Sequence, residues 1–242
     1  TVTPKGILTA VCQFFSFVSL VLTLSVYALL PTLRTVPGRC VMCLCCALLI
    51  AQVLFQFSYL ARHIRSLCIT LAVLDHWAWL ASFCWMALLA YDISSAMSKS
   101  TLTDEQTHAR QFRWYLAIGW GSPTLVVAVC LAISLSKPDS LSYADGVACW
   151  ISPFLPLLLA FALPIAIMLI IDGVFFIRTV VAIRRAAKIA ERAKDKSETQ
   201  RKLGVYARIA SLMGFTWVFG LLQNAHDYSW MDYVFIVATA LQ

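Results

Sequence analysis

Two carboxylates stand in stretches that are otherwise apolar. Asp75 lies in SLCITLAVLDHWAWLASFCWMALLAY and Asp172 in LPIAIMLIIDGVFFI. A charged carboxylate at bilayer depth is expensive, so each must face a protein interior, stay protonated or find a partner. Asp75 falls about two helical turns beyond Cys68, a position from which it can bind a ligand or lock neighbouring helices. His76 follows it directly and points about 100° away around a helix, so the two need not share a site. Asp172, closer to Arg178, reads as a structural acid. The four histidines, His63, His76, His108 and His226, fall at different depths and in loops, which excludes a three-histidine zinc site. The CxxC pair Cys40 and Cys43 has no second ligand pair or nearby histidine to complete a tetrahedron. No catalytic group, metal or cofactor is expected.

The elements that must position these acids are transmembrane helices. Of 242 residues, 61% are hydrophobic and only 13% charged, against about 25% charged in ordinary globular domains. The apolar residues are gathered into blocks of the length a helix needs to cross the hydrocarbon core. No Asp, Glu, Lys or Arg occurs in 6–33, 40–61, 114–136 or 146–171. A further block, 66–91, contains one acid, Asp75; the block 209–225 is short but lengthens upstream past Arg208; a seventh begins at Tyr233 and is cut by Gln242. Seven spans are therefore expected, the last of them truncated, in one membrane domain covering 1–242. The blocks are continuous rather than alternating, which excludes a barrel. The first is too long for a cleaved signal peptide, and no small-residue cleavage site follows it. Pro123, Pro153, Pro156 and Pro164 fit kinked or capped spans, because neighbouring helices can take up the carbonyls that prolines free. No internal repeat is evident, which weakens a transporter built from two similar halves.

Loop charge sets the orientation. The start of the chain and the connections 62–66, 137–150 and 226–232 hold four of the 19 cations; 31–39, 92–113 and 178–208 hold the other fifteen. Cytoplasmic loops retain Lys and Arg, so the second set faces the cytoplasm and the amino terminus lies outside. The net charge of +7 is a loop asymmetry; nucleic-acid binding would gather the cations on one soluble face. The segment RRAAKIAERAKDKSETQRK, Arg184 to Lys202, pairs Lys194 with Glu198 and Glu198 with Lys202 at helical spacing, so the fifth and sixth spans should continue past the bilayer as rods. That charge run serves as a lipid-headgroup anchor, as a docking surface for a cytosolic partner, or as both.

Depth sorts the nine cysteines. Cys40, Cys43, Cys45 and Cys46 cluster at the cytoplasmic start of the second span, Cys84 and Cys130 lie inside spans, and Cys12 is near the outer end of the first. Reduced thiols, with palmitoylation open to some of them, suit these positions. Cys68, at the outer end of the third span, and Cys149, in the second outer loop, lie at the oxidising boundary with freedom to meet. A disulfide between them ties that loop over the third span.

A third-span disulfide to a loop Cys followed by Trp, here Cys149 and Trp150, together with GFTWVFG at Gly214–Gly220, resembles the secretin-like seven-helix receptors, especially their adhesion and Methuselah-like branches. YALLPTLR, GRCVMCLCCALLIAQVLF, HWAWLASFCWMALLAYDI, RWYLAIGWGSPTLV and LPIAIMLIIDGVFFI extend the likeness from about Ile7 to Gln242, and the GRC and YDI motifs lean towards Methuselah-like or invertebrate adhesion members. The resemblance implies coupling to a heterotrimeric G protein and activation by an extracellular or tethered peptide agonist. It implies an outer ligand pocket with Asp75, Trp79, Trp150 and Trp217, and a sixth-span switch formed by Gly214, Trp217, Phe219 and Gly220. Swing of that span would open a cytoplasmic cleft beside Arg34, Arg39, Arg184, Arg185, Lys188 and Lys202. Many members carry a His early in the second span, a Glu in the inner third span and an Asn in the fifth; this chain has Val41, Leu89 and Asp172 there. The expectation is thus an all-α plasma-membrane receptor with membrane lipids as its solvent; the alternative is a seven-helix transporter or channel.

Overall fold

A computed structural model describes residues 4–61, 63–98, 105–137, 140–143 and 149–193. They form α1 (Pro4–Leu29), a 3-10 turn (Pro31–Leu33), α2 (Val36–Ala61), α3 (Arg65–Ser98), α4 (Glu105–Ser136), a helical turn α5 (Phe154–Leu157), a π-helical segment (Leu158–Ala162) and α6 (Leu163–Ala193). Among the described residues, strand pairing is confined to one isolated bridge, Ser142 with Ser152. Among the described residues, five stretches are long and apolar enough to cross a membrane: Ile7–Leu29, Val36–Ser58, Arg65–Ala96, Thr107–Ser136 and Phe154–Ala182. They match the first five expected spans; the sixth and seventh lie outside the described residues. The first of the two rods expected beyond the bilayer is present as α6, which runs on to Ala193.

Side chains are sorted as a bilayer requires. Phe14, Leu22, Leu125, Leu135 and Ile170 are each at least 60% exposed, an arrangement that only a hydrocarbon solvent tolerates on this scale. Within its most apolar stretch, α3 is 61% buried, whereas the first span is 11% buried. Small residues allow this: Ala72, Ala78 and Ala81 are fully enclosed along α3, and small side chains let membrane helices approach closely.

The turn between α1 and α2 shows how sequence sets local structure. Pro31 opens the 3-10 turn, where its missing N–H costs nothing. Thr35 precedes α2, its hydroxyl 3.4 Å from the Gly38 N–H, as an N-cap does. Arg34 Nε donates to the Tyr27 carbonyl at 3.0 Å and its Nη2 to the Ala28 carbonyl, so a cation closes the end of α1. Gly38 is obligatory here, because a Cβ would strike the Leu33 carbonyl.

The chain divides into two compact units. One comprises Thr23–Leu89 and Leu102–Ile170 and holds the site built below. In the other, Tyr91 of α3 meets Phe175 of α6 edge to face, ring centroids 5.3 Å apart.

Candidate functional site: the disulfide end of the third helix

Cys68 sits in the first turn of α3 and is bonded to Cys149, with Cα atoms 5.0 Å apart across a sequence separation of 81. Around the bridge, Cys68 and Ala72 of α3, Cys130 of α4, Leu141, Tyr143, Cys149 and Ile151 of the connection and Ala160 of the π segment form one buried cluster. Ser142 and Ser152 exchange both backbone hydrogen bonds at 2.8 Å, which pins the returning strand of the connection. The Ser152–Pro153 peptide is cis. The described residues of the connection are thus fixed covalently, by backbone bonds and by apolar packing.

Beneath it lies a polar chain. His76, fully buried, has Nδ1 3.2 Å from the Tyr143 hydroxyl and Nε2 3.1 Å from the Ala160 carbonyl. Phe161 packs edge to face on both His76 and Trp150, at 5.9 and 5.1 Å between centroids. Burial pushes the Tyr143 phenol above its ordinary value, and the neighbouring Cys130 thiol adds to the rise. The hydroxyl therefore stays a donor throughout the physiological range.

Asp75 is 1% exposed, and neither carboxyl oxygen has a hydrogen bond among the described residues. The Trp79 indole N–H, one turn further along α3, bears on the carboxyl as a donor outside strict hydrogen-bond geometry. The structure therefore places Asp75 beside Trp79, while Trp150 packs against Phe161 in the disulfide cluster. Trp217 lies outside the described residues, as do Gly214, Phe219, Gly220 and Lys202. The helix α6 carries Arg184, Arg185 and Lys188, whose side chains are likewise outside them. Asp172 Oδ1 is buried without a hydrogen-bond partner among the described residues.

The arginines of the first connection have structural tasks. Arg34 closes α1, and Arg39 Nε donates to the Arg34 carbonyl at 3.2 Å while its guanidinium stands 5.6 Å from the Phe112 ring centre. Both remain exposed, so capping and cation–π contact leave them surface accessible. Val41 is half-buried and Leu89 buried, so apolar packing occupies the two positions where many secretin-like receptors carry His and Glu.

A second feature lay beyond sequence reasoning. Between α3 and α4 runs an aromatic seam: Trp77 stacks on Trp120 at 5.3 Å, Trp120 meets Trp85 edge to face at 5.7 Å, and Trp85 lies 6.4 Å from Phe112. Trp77 Nε1 donates to the Thr124 hydroxyl at 2.9 Å. Gly119 admits the seam, since a Cβ there would come within 2.6 Å of the Trp85 ring. Tyr143 and this seam were not singled out from the sequence, and His76 was read there only as a residue that need not share a site with Asp75. The detectable signal for His76 was Pro164, whose missing N–H leaves an acceptor on Ala160 to be satisfied from elsewhere.

Apolar helices with lipid-type surfaces, and a largely buried third helix whose end is tied by a disulfide, define a polytopic helical membrane protein. The family model of the seven-transmembrane receptors of the secretin family matches residues 3–242, and the chain belongs to that family. It is similar to the cadherin EGF LAG seven-pass G-type receptor 3 of Rattus norvegicus, at 28% identity over 92% of this chain and 6% of the relative. It is 26% identical to the adhesion G-protein coupled receptor D1 of Bos taurus, over 94% of this chain and 25% of the relative. The latrophilin receptor-like protein A of Dictyostelium discoideum matches at 25% identity over 97% of this chain and 73% of the relative. The chain thus spans a quarter or less of the length of the first two. Membership makes the fold a seven-transmembrane helix bundle in the plasma membrane, with adhesion-type receptors as its relatives.

Proposed function

We propose that residues 1–242 form a single membrane domain that transduces a signal, with the amino terminus outside. An extracellular or tethered peptide agonist binds at the disulfide end of α3, and a heterotrimeric G protein is engaged at the cation-rich side through movement of the sixth span. The observation that carries this reading is the extent of the family match, which runs through every span and connection. Two local features support it. The connection above α3 is tied down by the Cys68–Cys149 bridge, which gives an agonist a fixed surface to press on. Asp75 and Trp79 supply a buried acid and an indole beneath it, groups that recognise donors and flat apolar side chains.

In this assignment Asp75, Trp79, Trp150 and Trp217 line the agonist pocket. Gly214, Trp217, Phe219 and Gly220 form the switch, and Arg34, Arg39, Arg184, Arg185, Lys188 and Lys202 frame the G-protein cleft. The test is G-protein dissociation, read by resonance energy transfer in cells expressing the chain preceded by candidate agonist peptides. Agonist-dependent dissociation that is lost with Trp79→Ala is expected. Electrogenic ion flux from the purified chain in liposomes, without G-protein dissociation, would overturn the receptor reading in favour of transport.

A further inference from the structure

Proline has no N–H, so in a helix it leaves the carbonyl four residues earlier without a donor. In the fifth span Pro164 does this to Ala160. At this depth no water replaces the lost bond. The Ala160 carbonyl is taken up from outside the span: His76 Nε2 reaches it at 3.1 Å. A carbonyl can only accept, so Nε2 carries the hydrogen. In a neutral ring Nδ1 is then the acceptor, and the Tyr143 hydroxyl donates to it at 3.2 Å. Ala160 also lies in the middle of the π segment Leu158–Ala162. There the ladder has widened by one residue, the Leu163 N–H reaching the Leu158 carbonyl, while the donor that position 164 lacks is supplied to Ala160 by His76. The price is rotational: one extra residue turns everything on its amino-terminal side by about 100° relative to a continuous α-helix. Leu157, in the turn so rotated, packs on the disulfide cluster.

We infer that His76 is a positioning residue that holds the fifth span in its π register at Ala160 and, through Tyr143, couples that register to the disulfide-tied connection. The alternative register is discrete. If the connection moves and Tyr143 leaves Nδ1, the hold on Ala160 weakens, and the span gains access to a state one residue out of step. That an agonist exploits this rotation rests on the receptor reading above; the latch itself does not.

The test uses the full chain in lipid nanodiscs, with two readouts: the apparent melting temperature and amide hydrogen exchange across Leu158–Ile165. His76→Ala should lower the melting temperature by about 2–4 °C or more and speed exchange in that segment about tenfold, the loss expected when a buried carbonyl is left unpaired. His76→Gln, whose side-chain N–H can replace Nε2, should restore most of the protection. Pro164→Ala supplies the missing donor, so in that background His76→Ala should change exchange by less than about twofold. Equal losses in the two backgrounds would show that His76 only fills space and would overturn the latch. Should H76A fail to fold alone, recovery of folding in P164A/H76A supports the inference, and failure there overturns it. Loss of signalling in every variant and in the parent chain, with this exchange pattern intact, removes the receptor reading and leaves the latch standing.

Discussion

The two ends of the contact surface offered by α3 are held by different physics. At its amino-terminal end the restraints are directional: a disulfide, the Ser142–Ser152 backbone pair and the His76 bonds to Tyr143 and Ala160. Further along, towards α4, the restraint is the aromatic seam of Trp77, Trp85, Trp120 and Phe112, with centroids between 5.3 and 6.4 Å apart. Directional bonds select one register, because a shift of one residue forfeits all of them together. Ring packing is set mainly by distance and area, so it holds helices at a spacing while permitting small rotations.

The largest effect should come from cutting the covalent restraint. Cys149→Ser releases a loop of 81 residues, worth about 4–5 kcal/mol in the chain-entropy account. Apparent melting of the purified chain should fall steeply, as it should for the parent under strong reductant. The seam should fail more gradually. Gly119→Val drives a side chain into the Trp85 ring, for an expected loss of about 1–3 kcal/mol; Trp85→Phe in the same chain should recover part of it, measured as a double-mutant cycle. If the Val variant melts with the parent, the seam is not close-packed.

Smaller still is Thr124→Ala, which strips the acceptor from Trp77 Nε1. At this exposed position the cost should be about 0.5–1.5 kcal/mol, visible as a modest shift in melting and in indole fluorescence. Last comes Asp75→Asn. Asn keeps the shape and an acceptor for the Trp79 indole, so the stability change should stay below about 1 kcal/mol, while response to a peptide agonist falls. A stability loss well above 1 kcal/mol would reveal a structural partner for Asp75 and remove it from the pocket.

How far each feature could be read in advance follows from the range of the interaction. The first five spans were legible because bilayer insertion is a sum over about 20 adjacent residues and needs no knowledge of what packs where. Cys68 and Cys149 could be paired because depth alone separates them from the other seven cysteines. Pro164 was legible as the source of a freed carbonyl, but not which donor would answer it. His76 was set apart from Asp75 by helical geometry, and the structure does give them different surroundings; the groups His76 reaches lie 67 and 84 residues away. Arg34 and Arg39 were read as cationic cleft residues only. Their capping and ring contacts depend on how the chain turns at Pro31 and on where Phe112 of α4 arrives.

Residence in a bilayer and the rough ends of its spans are thus written along the chain, since hydropathy accumulates locally and residue order changes it little. Which carbonyl meets His76, which glycine lies against Trp85 and whether the fifth span runs in α or π register were decided only when the helices came together. Each of those depends on angles and ångströms between residues scores of positions apart, and a single residue of slippage, invisible to any local average, exchanges one set of partners for another.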